Sequence, residues 1–192
     1  MTIPGYRYGD STLPASPLTL DDLAAMEAAV LFGPSDVAAL RRSGPILAPQ
    51  TEAILDVWYG FVGSLPQLLE HFSHGGQPVG DYLTRVRQRF GQWIHDTAAA
   101  NHDEAWLRWH LEIGRRHHRV GKNRTDNVQS SPVVPLRYLF LLAQPIVHTL
   151  RPFLAATGEP TEVVDAMQDA WRKAVLLQVT LWAQPYVQAE DF

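Results

Sequence analysis

Trp106 to His118 reads Trp-Leu-Arg-Trp-His-Leu-Glu-Ile-Gly-Arg-Arg-His-His, one amphipathic helix that ends in two adjacent histidines. At about 100° per residue, Trp106 and His117 lie about 1100° apart and nearly eclipse after three turns. His110 and Ile113 fall on the same stripe. His118 is turned by about 100° toward the side that carries Arg115 and Arg119. One histidine of the pair therefore faces whatever the helix packs against, and the other faces water. An imidazole at the inward end of an apolar helix face can ligate a metal or a cofactor iron. Taken alone, such a histidine is more often a hydrogen-bonded core residue, so the rest of the chain has to decide.

The helix before it, Asp81 to Ala99, buries Tyr82, Val86, Phe90, Trp93, Ile94 and Thr97 at spacings of three and four. An earlier helix, from about Pro49 to Gly63, sets Ile54, Leu55, Trp58, Tyr59, Phe61 and Val62 on its apolar face. Trp58 and Tyr59 each carry a polar end that needs a partner if buried. Between these two helices lie a short helical turn, Leu65 to Phe72, and a loop, Ser73 to Pro78. Nearer the N-terminus, Thr19-Leu-Asp-Asp is a capping-type start for a helix to Phe32. Ser35-Asp36 starts another, which Gly44-Pro45 is expected to break. Residues 1–18 are punctuated by proline and glycine, which suits an extended arm; Tyr6 and Tyr8 alternate in it, so the arm is expected to lie on the body.

Past the histidines, Arg119 to Asn127 is a polar connection rich in basic residues, able to touch phosphates or carboxylates but read first as a solvated loop. Pro132 and Pro135 open an apolar helix through Phe153. The last helix places Val163, Met167, Ala170, Trp171, Ala174, Gln178, Leu181 and Trp182 on one face until Pro185. No window alternates like a strand, and the chain reads as all-α.

Composition narrows the function. The 192 residues carry a net charge of −4, which argues against a general nucleic-acid binder. The absence of cysteine removes disulfides, thiolate metal sites, iron–sulfur clusters and thiol nucleophiles, and suits the cytoplasm. No signal peptide is expected at Met1–Tyr6. The longest apolar run, near Tyr138–Val147, is far too short for a membrane span. No Gly-x-Ser-x-Gly, Gly-x-x-x-x-Gly-Lys or His-Glu-x-x-His pattern occurs. His95, His102 and His118 read as surface residues, which disfavours a multi-histidine metal site. What remains is one inward histidine, a large aromatic inventory and a Trp–Tyr pair on another helix. Haem suits that combination, held by a single axial nitrogen, with Phe90 closing the opposite face and Tyr59 overlooking it.

Several motifs, in order along the chain, resemble those of the protoglobins, single-domain haem proteins related to the sensor domains of globin-coupled sensors. They are Ile3-Pro-Gly-Tyr-x-Tyr-Gly, Ile54-Leu-Asp-x-Trp-Tyr-Gly-Phe-Val-Gly-Ser and Tyr82-Leu-x-x-Val-Arg-x-Arg-Phe-x-x-Trp-Ile, followed by Glu112-Ile-Gly-x-Arg-His-His-Arg, Lys122-Asn-x-Thr-Asp-Asn-Val and Leu177-Gln-Val-x-Leu-Trp-x-x-Pro-Tyr-Val. The resemblance implies a globin fold, a three-over-three helical sandwich, with an extra N-terminal helix and an arm: residues 1–18 as the arm and 19–192 as one globin domain. It implies haem b (iron protoporphyrin IX), with His117 as the proximal ligand and metal-binding residue. Trp58, Tyr59 and Phe90 line the distal side, Ile113 lies on the proximal helix, and Leu142 and Ile146 border the haem and its gas tunnels. Leu142 stands where the family has Phe, which should widen access. Arg89 is placed as a propionate partner. The implied function is reversible binding of O2, CO or NO in a homodimer formed through the last two long helices. The alternatives are a haem enzyme or engineered carbene or nitrene transferase using the same iron, and a gas-sensor module acting through a separate partner.

Overall fold

The computed structural model describes residues 2–192. Its helices are α1 (Leu20–Ala29), α2 (Pro34–Leu47), α3 (Thr51–Gly63), α4 (Pro66–Leu69), α5 (Gly80–Ala99), α6 (Glu104–His117), α7 (Leu136–Ala155) and α8 (Thr161–Ala183). The capping signal at Thr19 is realised as a capping box, with Thr19 accepting from the Asp22 N–H while the Asp22 carboxylate accepts from the Thr19 N–H. Asp103 caps α6 by accepting from the Trp106 N–H at 2.8 Å.

Two expectations about the chain are corrected. First, α2 is not broken at Gly44-Pro45 but runs through to Leu47. Pro45 removes the N–H that would reach the Arg41 carbonyl, but Arg41 is exposed, so water can satisfy it. Tertiary packing then decides in favour of helix: Leu40, Ser43 and Leu47 are buried, and the Ser43 hydroxyl accepts from Trp171 Nε1 at 2.9 Å. Second, the loop after α4 contains a two-residue antiparallel ladder, Ser73–His74 against Gln77–Pro78. Gly75 and Gly76 turn it with φ of 56° and 80°, a geometry that only residues tolerant of positive φ supply. Neither strand is long enough to alternate visibly in sequence.

α8 is the central element. It packs on α7, α2 and α6, and its Met167, Ala170, Trp171 and Val175 have no exposed surface. α2 also meets α5, and α3 meets both α5 and α7. The polar end of one fully buried core residue is matched on both sides. Gln178 lies fully buried, accepting from Trp93 Nε1 and donating to Thr97 Oγ1 at 3.2 Å. Gln178→Leu keeps the volume but strands the Trp93 N–H, so it is expected to lower folding stability by about 1–3 kcal/mol, read from the denaturant midpoint. An unchanged midpoint would mean that water or another group reaches that indole.

Residues near the N-terminus make side-chain and backbone contacts with the helices. Tyr6 donates to Asp96 at 2.6 Å and packs edge-on against Trp109. Guanidinium groups of the helices hold the backbone there: Arg116 donates to the Gly5 carbonyl at 2.6 Å and Arg89 to that of Pro4 at 2.8 Å. Among the described residues no single helix is long and apolar enough to cross a membrane.

Candidate functional site

α6 delivers His117 to the interior. Its stripe behaves as the helical period requires: Trp106 and His110 are buried, while Ile113 and His117 line a cavity between the helices. His117 Nδ1 is 2.9 Å from the Ile113 carbonyl. A carbonyl can only accept, so Nδ1 carries the proton and Nε2 carries the lone pair. Burial, only partly opposed by that hydrogen bond, pulls the imidazole down to about 4 and keeps it neutral. Nε2 has no hydrogen-bond partner among the described residues. The ring is oriented by Trp182, stacked on it at 5.5 Å and 14°. Trp182 is fixed in turn by donating from Nε1 to His110 Nδ1 at 2.8 Å. The chain after α6 returns so that the Val134 N–H donates to the His117 carbonyl at 2.9 Å, which secures the backbone as well.

The cavity has a volume of about 250 Å³, where about 10–15 Å³ on the same scale admits one water. All eight residues singled out from sequence line it: Trp58 and Tyr59 from α3, Arg89 and Phe90 from α5, Ile113 and His117 from α6, and Leu142 and Ile146 from α7. Phe90 meets Trp58 and Tyr59 edge-on, at centroid distances of 5.7 and 6.4 Å. The Tyr59 hydroxyl finds no hydrogen-bond partner among the described residues. Burial raises its pKa, so it remains a protonated donor.

One side of the cavity is polar. Arg89 stands there with its guanidinium held by both carboxylate oxygens of Asp126, at 3.0 and 2.6 Å. Its charge is therefore already matched within the protein. Arg116 is matched by Glu112 at 2.8 Å. Three further residues, Trp182, Lys122 and His71, line the cavity without a clear signal in the sequence. Trp182 and Lys122 fall inside motifs quoted above without a role being visible, and His71 sits in a short turn with no periodic signal.

Two histidines are also placed differently from expectation. His102 is not a surface residue: its ring packs tilted against Trp106 at 4.3 Å, and it pairs with Glu27. His118 is half-buried rather than facing water, edge-on to Tyr186 at 4.8 Å, because the chain beyond α8 folds over it. His95 keeps partial exposure.

A family model described as protoglobin matches residues 19–192. The chain belongs to the protoglobin family. Membership makes it a haem-binding globin, and the all-α architecture is the globin fold. Among solved structures, the globin domain of the Geobacter sulfurreducens globin-coupled sensor superposes with a TM-score of 0.68 at 16% identity, over 86% of this chain and 98% of that one. No curated protein matches the chain.

The cavity of this protoglobin suits haem on its own chemistry. It offers, in His117, a neutral imidazole whose Nδ1 is fixed by the Ile113 carbonyl and whose Nε2 lone pair is free, together with aromatic and aliphatic walls for a flat ring and a cationic edge where acidic substituents can lie.

Proposed function

We propose that this protoglobin reversibly binds a diatomic gas (O2, CO or NO) at a five-coordinate ferrous haem b held through His117. The observation that carries the reading is the His117 imidazole: neutral, hydrogen-bonded at Nδ1, unpartnered at Nε2 and set in the wall of a large apolar cavity. Ferrous haem, when bound, supplies an open coordination position for the gas. The protein's part is to orient, enclose and polarise. The Ile113 carbonyl and Trp182 fix the ligating ring. Trp58, Phe90, Leu142 and Ile146 provide apolar wall that excludes water. Arg89, its charge matched by Asp126, borders the polar edge and ties the arm over it through Pro4.

Tyr59 supplies the polar discrimination. Its protonated hydroxyl has no partner among the described residues and can donate to a gas molecule that carries partial negative charge, as O2 does and CO does to a lesser degree. A hydrogen bond to a charged partner is worth about 1.5–3 kcal/mol, about one to two decades in affinity. Tyr59→Phe is therefore expected to raise the O2 dissociation rate by about tenfold or more and that of CO far less, measured by stopped flow and flash photolysis. Equal changes for both gases would remove Tyr59 from this role.

Absorption spectra of the purified protein, oxidised, reduced and reduced under CO, test the reading as a whole. A Soret band that shifts on adding CO supports it; a reduced, haem-loaded protein that ignores CO refutes gas binding. The same reading makes the protein a cytoplasmic homodimer through α7 and α8. In support, Phe140, Leu141 and Leu176 of these helices are exposed, Leu141 by 63%, an apolar surface that a second copy would cover.

A further inference from the structure

Lys122 and His71 are two buried groups on the cavity wall that are left incomplete in different ways: the ammonium has hydrogen-bond acceptors but no counter-ion, and the imidazole has no hydrogen-bond partner among the described residues. Lys122 is 7% exposed. Its Nζ donates to neutral acceptors only: the Ser130 hydroxyl at 2.8 Å, the His71 carbonyl at 3.0 Å, the Tyr82 hydroxyl at 3.1 Å and Asn123 Oδ1 at 3.3 Å. Among the described residues no carboxylate lies within 4.0 Å of it. The nearby acid, Asp126, is already engaged by Arg89 at 2.6 Å and approached by Arg85 at 3.7 Å. Burial accordingly pulls the ammonium down to about 8. A buried cation without a counter-ion is costly.

His71 is 4% exposed, and neither ring nitrogen has a hydrogen-bond partner among the described residues. Its Nε2 stops 3.9 Å from the Glu70 carboxylate, beyond hydrogen-bond reach, and its ring lies edge-on to Tyr138 at 6.0 Å. An imidazole buried and unpaired in this way calls for a ligand, an ion or water to complete it, and a buried ammonium calls for an opposite charge. Both residues line the same cavity as His117, and Lys122 is bonded to the backbone of His71.

We infer that Lys122 and His71 together receive one carboxylate of the haem. The imidazole N–H donates the hydrogen bond, and the buried ammonium, held in place by its neutral acceptors, supplies the missing opposite charge. The inference rests on the haem reading above. It separates the polar edge into a closed part, where Arg89 and Asp126 satisfy each other, and an open part at Lys122 and His71 that only the cofactor completes.

The test is a comparison of haem with its dimethyl ester, which has the same ring and iron but no carboxylate charge. Each is loaded into the 192-residue apoprotein, and the rate of transfer to a haem-scavenging apoprotein is followed by absorbance. His71→Phe and Lys122→Met are each expected to speed loss of haem by about tenfold or more and loss of the ester by less than about twofold. His71→Gln, which keeps a donor, should restore most of the difference. The ester, measured in the same variant, controls for damage to the cavity, and circular dichroism verifies the helices. Equal acceleration of haem and ester, or no acceleration of either, would overturn the carboxylate site while leaving haem binding intact. If the unaltered apoprotein takes up neither form, haem binding itself fails, and the site falls with it.

Discussion

Replacing His117 with alanine is expected to leave a folded helical protein that no longer holds haem tightly, whereas His118→Ala keeps its Soret band. The two histidines are adjacent in sequence, yet only His117 lines the cavity, while His118 ends α6 in an extended conformation against Tyr186. Losing the ligand itself should exceed the roughly 10–100-fold effects seen when outer-shell partners of a metal ligand are removed, so haem loss should accelerate by more than about a hundredfold. Smaller substitutions sharpen the result: His117→Gly opens a space that imidazole added to the buffer can fill, and the spectrum should then recover. If His117→Ala retained haem with an unaltered spectrum, another residue would have to be the ligand and the site would need reassignment.

Gly114→Ala should be nearly as damaging, although glycine 114 touches no ligand. A Cβ at this position would stand 2.7 Å from the Trp182 carbonyl oxygen and 2.9 Å from its Cα. Both are backbone atoms of α8, so no rotamer change can relieve the contact. α6 must shift from α8, and with it His117, one turn further on and stacked on the side chain of the same Trp182. Overpacking of this kind costs about 1–3 kcal/mol or more. We expect a lower denaturant midpoint in the apoprotein together with faster haem loss. Gly60→Ala is the matched control, since it lies in a helix and its added Cβ meets nothing within 4 Å; it should be neutral or stabilise by about 0.5–1 kcal/mol. Similar midpoints for the two variants would show that the α6–α8 contact has more slack than the structure indicates.

Both predictions depend on α6, the stretch most legible in sequence. Its apolar positions recur with the helical period over three turns, so the angle between His117 and His118 follows from residue count alone. The same logic put Trp58, Tyr59 and Phe90 on inward faces of α3 and α5, and all three reach the cavity. Legibility stopped where an outcome depended on a partner far away in the chain. Gly44-Pro45 is a strong local break signal, yet α2 passes through it because Ser43 and its neighbours are locked beneath Trp171 of α8. His102 reads as polar and solvent-facing, but Glu27 of α1 and the Trp106 ring enclose it.

The sequence alone determined the all-α architecture, the family resemblance and the direction in which His117 turns, because periodicity and capping are written within a few residues of one another. Only the tertiary structure decided which charges on the cavity wall are matched. A basic residue in a polar connection reads as solvated until the fold shows that Lys122 is enclosed beside His71, whereas Arg89 has Asp126. Helical period fixes the direction in which a side chain points; whether a charge that points inward finds its opposite depends on segments that meet only when the chain is packed.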